Sequence, residues 1–129
     1  IEEAKKTGIY AALDMLNVAR PIDLLSELSV GGLMPDVVEL HRAIDVEELG
    51  TQHAWGNIEE IKRIGGEKML VAVAGGIREE NAPEAIKGGA DILIIGRGIT
   101  NARDVEGVAR RFLRLMKEEI DQYRVMTDF

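Results

Sequence analysis

Two glycine-bearing stretches carry the most specific chemistry in this sequence. Val71-Ala72-Val73-Ala74-Gly75-Gly76-Ile77 is an apolar run that ends in a glycine pair, and Ile92-Leu93-Ile94-Ile95-Gly96-Arg97-Gly98-Ile99 repeats the pattern further along. Glycines placed after buried strands let backbone N–H groups approach an anion closely, and an arginine between two glycines adds a fixed, forked positive charge. Gly75, Gly76, Gly96 and Arg97 therefore read as a phosphate clamp. The plainer alternative is a pair of tight turns without a ligand, because glycine doublets also simply end helices, as Gly65-Gly66 and Gly88-Gly89 do here. Occurrence of both turns on adjacent strand–helix units favours the anion.

A second group of residues could move protons. His41 and Arg42 directly follow the run Val37-Val38-Glu39-Leu40, and Asp45 comes shortly after. An imidazole at such a rim can donate to a developing oxyanion or shuttle a proton near neutral pH. Equally, His41 can pack under a loop while Arg42 pairs with a glutamate. Asp14 ends an apolar run and reads either as a rim hydrogen-bonder or as a helix cap. His53 and Trp55 lie in the longest connection, residues 46–56, which reads as a substrate lid or as a loop pinned to the body by Trp55. Glu47-Glu48 and Glu79-Glu80 read as solvated faces. No spacing matches a zinc site, a P-loop or a G-x-G-x-x-G fingerprint.

The elements that must position these residues alternate. Residues 1–6 read as the end of a helix closed by Gly8, and residues 9–13 as a buried strand. Pro21 opens a helix with Ile22, Leu24, Leu25 and Leu28 inward, ended by Gly31-Gly32. Residues 36–40 form the second strand. Asn57 is placed to cap a helix using Ile58, Ile61 and Ile64, with Glu60 spaced for a capping box. Residues 68–74 form the third strand, 82–87 a short helix capped by Asn81, and 91–95 the fourth strand. A final amphipathic helix over residues 104–123 buries Val105, Val108, Phe112, Leu115, Met116 and Ile120. Short, continuously apolar strands separated by helices predict an α/β fold with a parallel sheet buried on both faces, in one domain over residues 1–129.

Composition narrows the function. With 16 basic and 23 acidic residues the net charge is −7, which argues against a general nucleic-acid binder. No apolar run approaches the roughly 20 residues of a membrane span, and no signal-peptide pattern opens the chain. Cysteine is absent, which removes disulfides and thiolate chemistry and agrees with a cytoplasmic setting. The chain opens on Ile1, not Met, inside what reads as a helix, so either a missing native N-terminus or a removed tag is expected. A phosphate site after the last two strands is the mark of a (β/α)8 barrel, yet such barrels need roughly 200 residues or more. The 129 residues here suffice for about four βα units.

In four stretches, taken in order, the chain resembles the C-terminal half of the 3-hexulose-6-phosphate synthase family, within the orotidine 5′-monophosphate decarboxylase superfamily. They are Leu13-Asp14-Met15-Leu16-Asn17, Leu40-His41-Arg42-Ala43-Ile44-Asp45, the Gly75-Gly76 run, and Ile95-Gly96-Arg97-Gly98-Ile99-Thr100. The resemblance implies strands 5–8 of a (β/α)8 TIM barrel, completed by a missing N-terminal half or by a second copy of the chain. It implies a formaldehyde-lyase of aldolase type, interconverting D-arabino-hex-3-ulose 6-phosphate with ribulose 5-phosphate plus formaldehyde through an enediolate stabilised by Mg²⁺. Gly75, Gly76, Gly96 and Arg97 would hold the sugar phosphate, His41 would move a proton or orient substrate, and Asp14 would contact sugar hydroxyls. Arg42 and Asp45 would sit at the substrate rim. The family's Asp-x-Lys-x-x-Asp motif and metal carboxylates occur nowhere in this sequence, so the Mg²⁺ ligands are expected outside it and the isolated chain is expected to be inactive. Two alternatives stand beside this: a decarboxylase of 3-keto-gulonate 6-phosphate, and a non-catalytic phosphate-binding half barrel that homodimerises. In some archaeal members the synthase is fused behind a formaldehyde-activating domain.

Overall fold

A computed structural model describes residues 1–41, Trp55 and residues 57–127, with side chains to residue 118. In chain order the elements are α1 (Glu2–Thr7), β1 (Ala12–Asp14), α2 (Pro21–Val30), β2 (Val37–His41), α3 (Ile58–Gly65), β3 (Leu70–Ala74), α4 (Ala82–Lys87), β4 (Ile92–Leu93), α5 (Arg97–Thr100) and α6 (Val105–Thr127). The four strands form one parallel sheet in the order β1-β2-β3-β4. Sequential order with helices between strands is the βα progression that the apolar pattern predicts.

Two aspartates at the N-terminal ends of the strands set the register. Asp36 Oδ2 accepts the Ala11 N–H at 2.7 Å, and Asp91 Oδ2 accepts the Val71 N–H at 2.9 Å while its Oδ1 pairs with Lys62 Nζ at 2.9 Å. Each carboxylate precedes its own strand and satisfies a donor at the start of the neighbouring one. The result is a row of side chains across the sheet, Asp14 beside Glu39, Glu39 beside Ala72 and Ala72 beside Ile92. The alternate residues Leu13, Val38, Leu40, Val71, Val73 and Leu93 pack in the core with Leu25, Ile58 and Ile61 of α2 and α3. Leu25, Val38, Ile58, Ile61, Val71 and Val73 are fully buried, each contributing about 1.5–3 kcal/mol of apolar burial.

Several local expectations are corrected. β1 begins at Ala12, and Ile9 and Tyr10 are exposed rather than buried. Pairing starts at Ala12 with Val37, and upstream of it Pro35 lacks the N–H a longer ladder would need. β4 is two residues long, although the Asp91 N–H and Ile94 N–H still bond Val71 and Val73 carbonyls at 2.8 and 2.9 Å. Asn57 precedes α3 as expected, but its side chain makes no cap bond. Val105 is 47% exposed, because the inward stripe of α6 starts one turn later at Val108 and Phe112. The Ile120 side chain lies outside the described residues.

Candidate functional site

All the strands run the same way, so their C-terminal ends share one rim, and the expected site residues that the structure describes, Asp14, His41, Gly75, Gly76, Gly96 and Arg97, lie at it. One groove of about 1290 Å³ is lined by Leu16 and Asn17 after β1, Glu39 and His41 of β2, Gly75 to Glu80 after β3, and Gly96, Arg97 and Gly98 after β4. Both glycine turns and the histidine thus face one space.

The first turn is built by backbone conformation. Gly75 and Gly76 have φ of 88° and 65°, left-handed values that a side chain disfavours. Asn81 locks this turn: its Nδ2 donates to the Gly76 carbonyl at 2.9 Å and its Oδ1 accepts the Arg78 N–H at 2.8 Å. The sequence pattern assigns Asn81 to capping α4, but its side chain serves the turn instead. The second stretch is not a free turn. Gly96 precedes the four-residue helix α5, and Arg97 is its first residue. Gly98 has a different task from Gly96: a Cβ there would lie 2.8 Å from the Ile77 carbonyl oxygen, so its lack of a side chain lets the two turns meet.

Charge on this side of the groove is mixed. Arg78, Arg97 and Arg111 all line it. Arg111 Nε donates to Glu79 Oε1 at 2.8 Å, tying α6 to the loop after β3, so Glu79 is not a merely solvated residue. Arg97 forms no ion pair with a described residue. Sequence reasoning missed Arg78 and Arg111. Arg78 was marked only by following the Gly75-Gly76-Ile77 turn, and Arg111 only by standing next to the buried Phe112.

On the other side, side chains make the site. Asp14 Oδ1 accepts the Leu16 N–H at 2.8 Å and Oδ2 lies 3.3 Å from His41 Nδ1, which makes Asp14 a rim hydrogen-bonder rather than a helix cap. Asn17 holds a left-handed φ of 62°, a conformation asparagine tolerates better than most residues. Glu39 Oε1 lies 3.4 Å from the same His41 nitrogen. Asp14, Glu39 and His41 are the group among the described residues whose donor atoms converge closely enough to hold a metal ion, all within 4.8 Å of one another. Glu39 was not singled out from sequence. Its signal was available in principle, as a carboxylate two residues before His41 and therefore on the same strand face.

Arg42, Asp45 and His53 lie outside the described residues. Trp55 packs against the core, and the rest of the 46–56 connection lies outside the described residues. No described helix is long and apolar enough to cross a membrane.

Residues 1–112 match the model of the Orotidine 5'-phosphate decarboxylase / HUMPS family. The chain is 61% identical to a "Bifunctional enzyme Fae/Hps" of Methanocella arvoryzae and 58% identical to one of Methanothrix thermoacetophila. In each case all of this chain is covered but only 32% of the relative, so the chain spans about a third of their length. Among solved structures, the 3-hexulose-6-phosphate synthase of Salmonella typhimurium superposes with a TM-score of 0.74 at 25% identity, over 92% of this chain and 54% of that one. KGPDC from Streptococcus mutans shares the fold, with a TM-score of 0.67 at 20% identity over 92% and 51% of the two chains.

Proposed function

The chain belongs to the Orotidine 5'-phosphate decarboxylase / HUMPS family, and from that premise we propose that it is the phosphate-holding half of a (β/α)8 barrel that works as a formaldehyde-lyase. The reaction is the interconversion of D-arabino-hex-3-ulose 6-phosphate with ribulose 5-phosphate and formaldehyde. One observation carries the reading: Gly75, Gly76, Gly96, Arg97 and His41 line a single groove. Backbone N–H groups and a guanidinium without an ion-pair partner among the described residues suit a phosphate dianion, and an imidazole across the groove suits proton transfer to or from the sugar carbons.

The half-barrel part rests on the open face of the sheet. Leu70 and Ile94 lie on the same face as Asp14, Glu39 and His41, and each is 42% exposed. A barrel interior would cover them, and a match that spans 54% of the Salmonella synthase supports this reading. Parallel edges left at β1 and β4 call for the same completion, by an N-terminal half or by a second copy.

Mg²⁺ would supply charge neutralisation to the reaction's anionic intermediate. The Asp14–Glu39–His41 group does not fit that ion well. Mg²⁺ takes oxygen ligands in near-ideal octahedral geometry, whereas here an imidazole nitrogen stands between the carboxylates and Asp14 Oδ1 is engaged by Leu16 N–H. In this reading the metal belongs to residues outside these 129, and His41, Asp14 and the clamp bind and orient the substrate.

Calorimetry with ribulose 5-phosphate on the intact protein that carries this chain, paired with an assay for formaldehyde release from hexulose 6-phosphate, tests the proposal. Binding with turnover supports it. Binding without formaldehyde release in the intact protein would falsify the lyase and leave a phosphate-binding module, or a decarboxylase if 3-keto-gulonate 6-phosphate loses CO₂ instead.

A further inference from the structure

Glu39 has no task in the reading above, yet its place is closely defined. The register sets Asp14 beside Glu39 on neighbouring strands, and His41 follows two residues along the same face of β2. His41 Nδ1 therefore meets Asp14 Oδ2 at 3.3 Å and Glu39 Oε1 at 3.4 Å. Glu39 is the most buried of the three, with 21% of its side chain exposed against 33% for His41 and 46% for Asp14. A carboxylate withdrawn from water needs a donor, and the imidazole is the one the fold brings to it.

We propose that Glu39 is a positioning residue that, together with Asp14, fixes the tautomer and orientation of His41. Ionised carboxylates only accept hydrogen bonds, so the nitrogen that faces both must carry the proton. An unprotonated Nδ1 would set its lone pair against two anions. Both distances lie slightly beyond the usual N–H···O range of about 2.7–3.2 Å; the Asp14 contact meets hydrogen-bond geometry, and Glu39 adds a second carboxylate at ion-pair distance from the same nitrogen. A neutral imidazole has a single N–H, so placing it on Nδ1 leaves Nε2 with a free lone pair on a residue that lines the groove. His41 then accepts a proton at Nε2 before it donates one. The imidazolium so formed keeps its Nδ1 proton on the two carboxylates, which meet the added charge and return the ring to the same orientation when Nε2 releases the proton.

This inference rests on His41 as the acting residue, but its test does not depend on the substrate. The intact protein is labelled with ¹⁵N in its histidine rings, His41 is assigned by its loss in His41→Gln, and spectra are recorded above the imidazole's titration range, where the pyrrole-type and pyridine-type nitrogens resonate far apart. The expected result is Nδ1–H as the major neutral form. Glu39→Gln and Asp14→Asn, both isosteric, are each expected to lower the ratio of Nδ1–H to Nε2–H by roughly tenfold, the scale of a hydrogen bond to a charged group. Glu39→Gln is also expected to reduce kcat while leaving KM for the sugar phosphate unchanged. A major Nε2–H form in the wild-type protein overturns the proposal, as does an unchanged ratio in Glu39→Gln. Conversion of Nδ1 to a metal-bound nitrogen in excess Mg²⁺ or Zn²⁺ overturns it too, and would make the same three residues a cation site.

Discussion

The two sides of the groove are built on different principles. After β3 and β4 the site is shaped by backbone, with left-handed Gly75 and Gly76, Gly98 lying under the Ile77 carbonyl and an asparagine that ties the turn, and arginine side chains add its positive charge. Across the groove it is made of side chains on strands, where Asp14, Glu39 and His41 converge only because β1 and β2 pair in one register. A backbone site offers N–H donors that do not titrate, which suits the binding of an anion such as phosphate. A side-chain site can change its own protonation, as proton transfer requires. Under the proposed function, the backbone side would grip the phosphate and the side-chain side would act on the sugar.

This contrast can be broken at either side. The largest effect is expected from His41→Ala in the intact protein, with turnover falling about 10²–10⁴-fold at nearly constant sugar-phosphate affinity. A loss below tenfold would return His41 to a packing role. Next comes Arg97→Ala, expected to weaken ribulose 5-phosphate binding by about 1.5–3 kcal/mol, measured by calorimetry, with the neutral sugar ribulose unaffected. If affinity holds, Arg97 leaves the clamp.

Smaller effects sharpen the comparison. Gly98→Ala pushes a methyl group against the Ile77 carbonyl and is expected to cost about 1–3 kcal/mol of stability in denaturant unfolding, with phosphate affinity falling alongside. Wild-type stability would mean that the turns part without cost. The smallest change is Glu79→Gln, which removes a half-exposed pair with Arg111. It is expected to shift stability by less than about 1 kcal/mol, and a larger loss on thermal unfolding would give the pair a structural weight that surface ion pairs rarely have.

The legibility of the sequence follows the same division. Gly75, Gly76 and Gly98 could be read directly because left-handed backbone or close approach selects one residue type, whereas Gly96 has a negative φ and open space where a Cβ would stand. The helices around Leu25, Ile58 and Phe112 could be read from their apolar spacing, and the order of four strands from the runs between them. Strand ends could not, since Ile9 and Tyr10 look as buried as Leu13 until the position of Pro35 and the start of pairing at Val37 are known. Asn81 has the right position before α4 for a helix cap, and only the three-dimensional turn reveals that its Oδ1 accepts the Arg78 N–H instead while its Nδ2 donates to the Gly76 carbonyl. Glu39 is hidden in an apolar run, and its meaning depends on Asp14, a neighbour on another strand and distant in sequence. Side-chain sites assembled by register are in this sense nonlocal, whereas backbone sites are local.

The central claim is that grip and action serve one molecule in one groove. Its most direct test is a crystal structure of the intact protein with ribulose 5-phosphate. The account predicts the phosphate within hydrogen-bond distance of the Gly75, Gly76 and Gly96 backbone and of the Arg97 guanidinium, with the sugar carbons reaching His41 Nε2. A phosphate bound elsewhere, or a sugar directed away from His41, would contradict it.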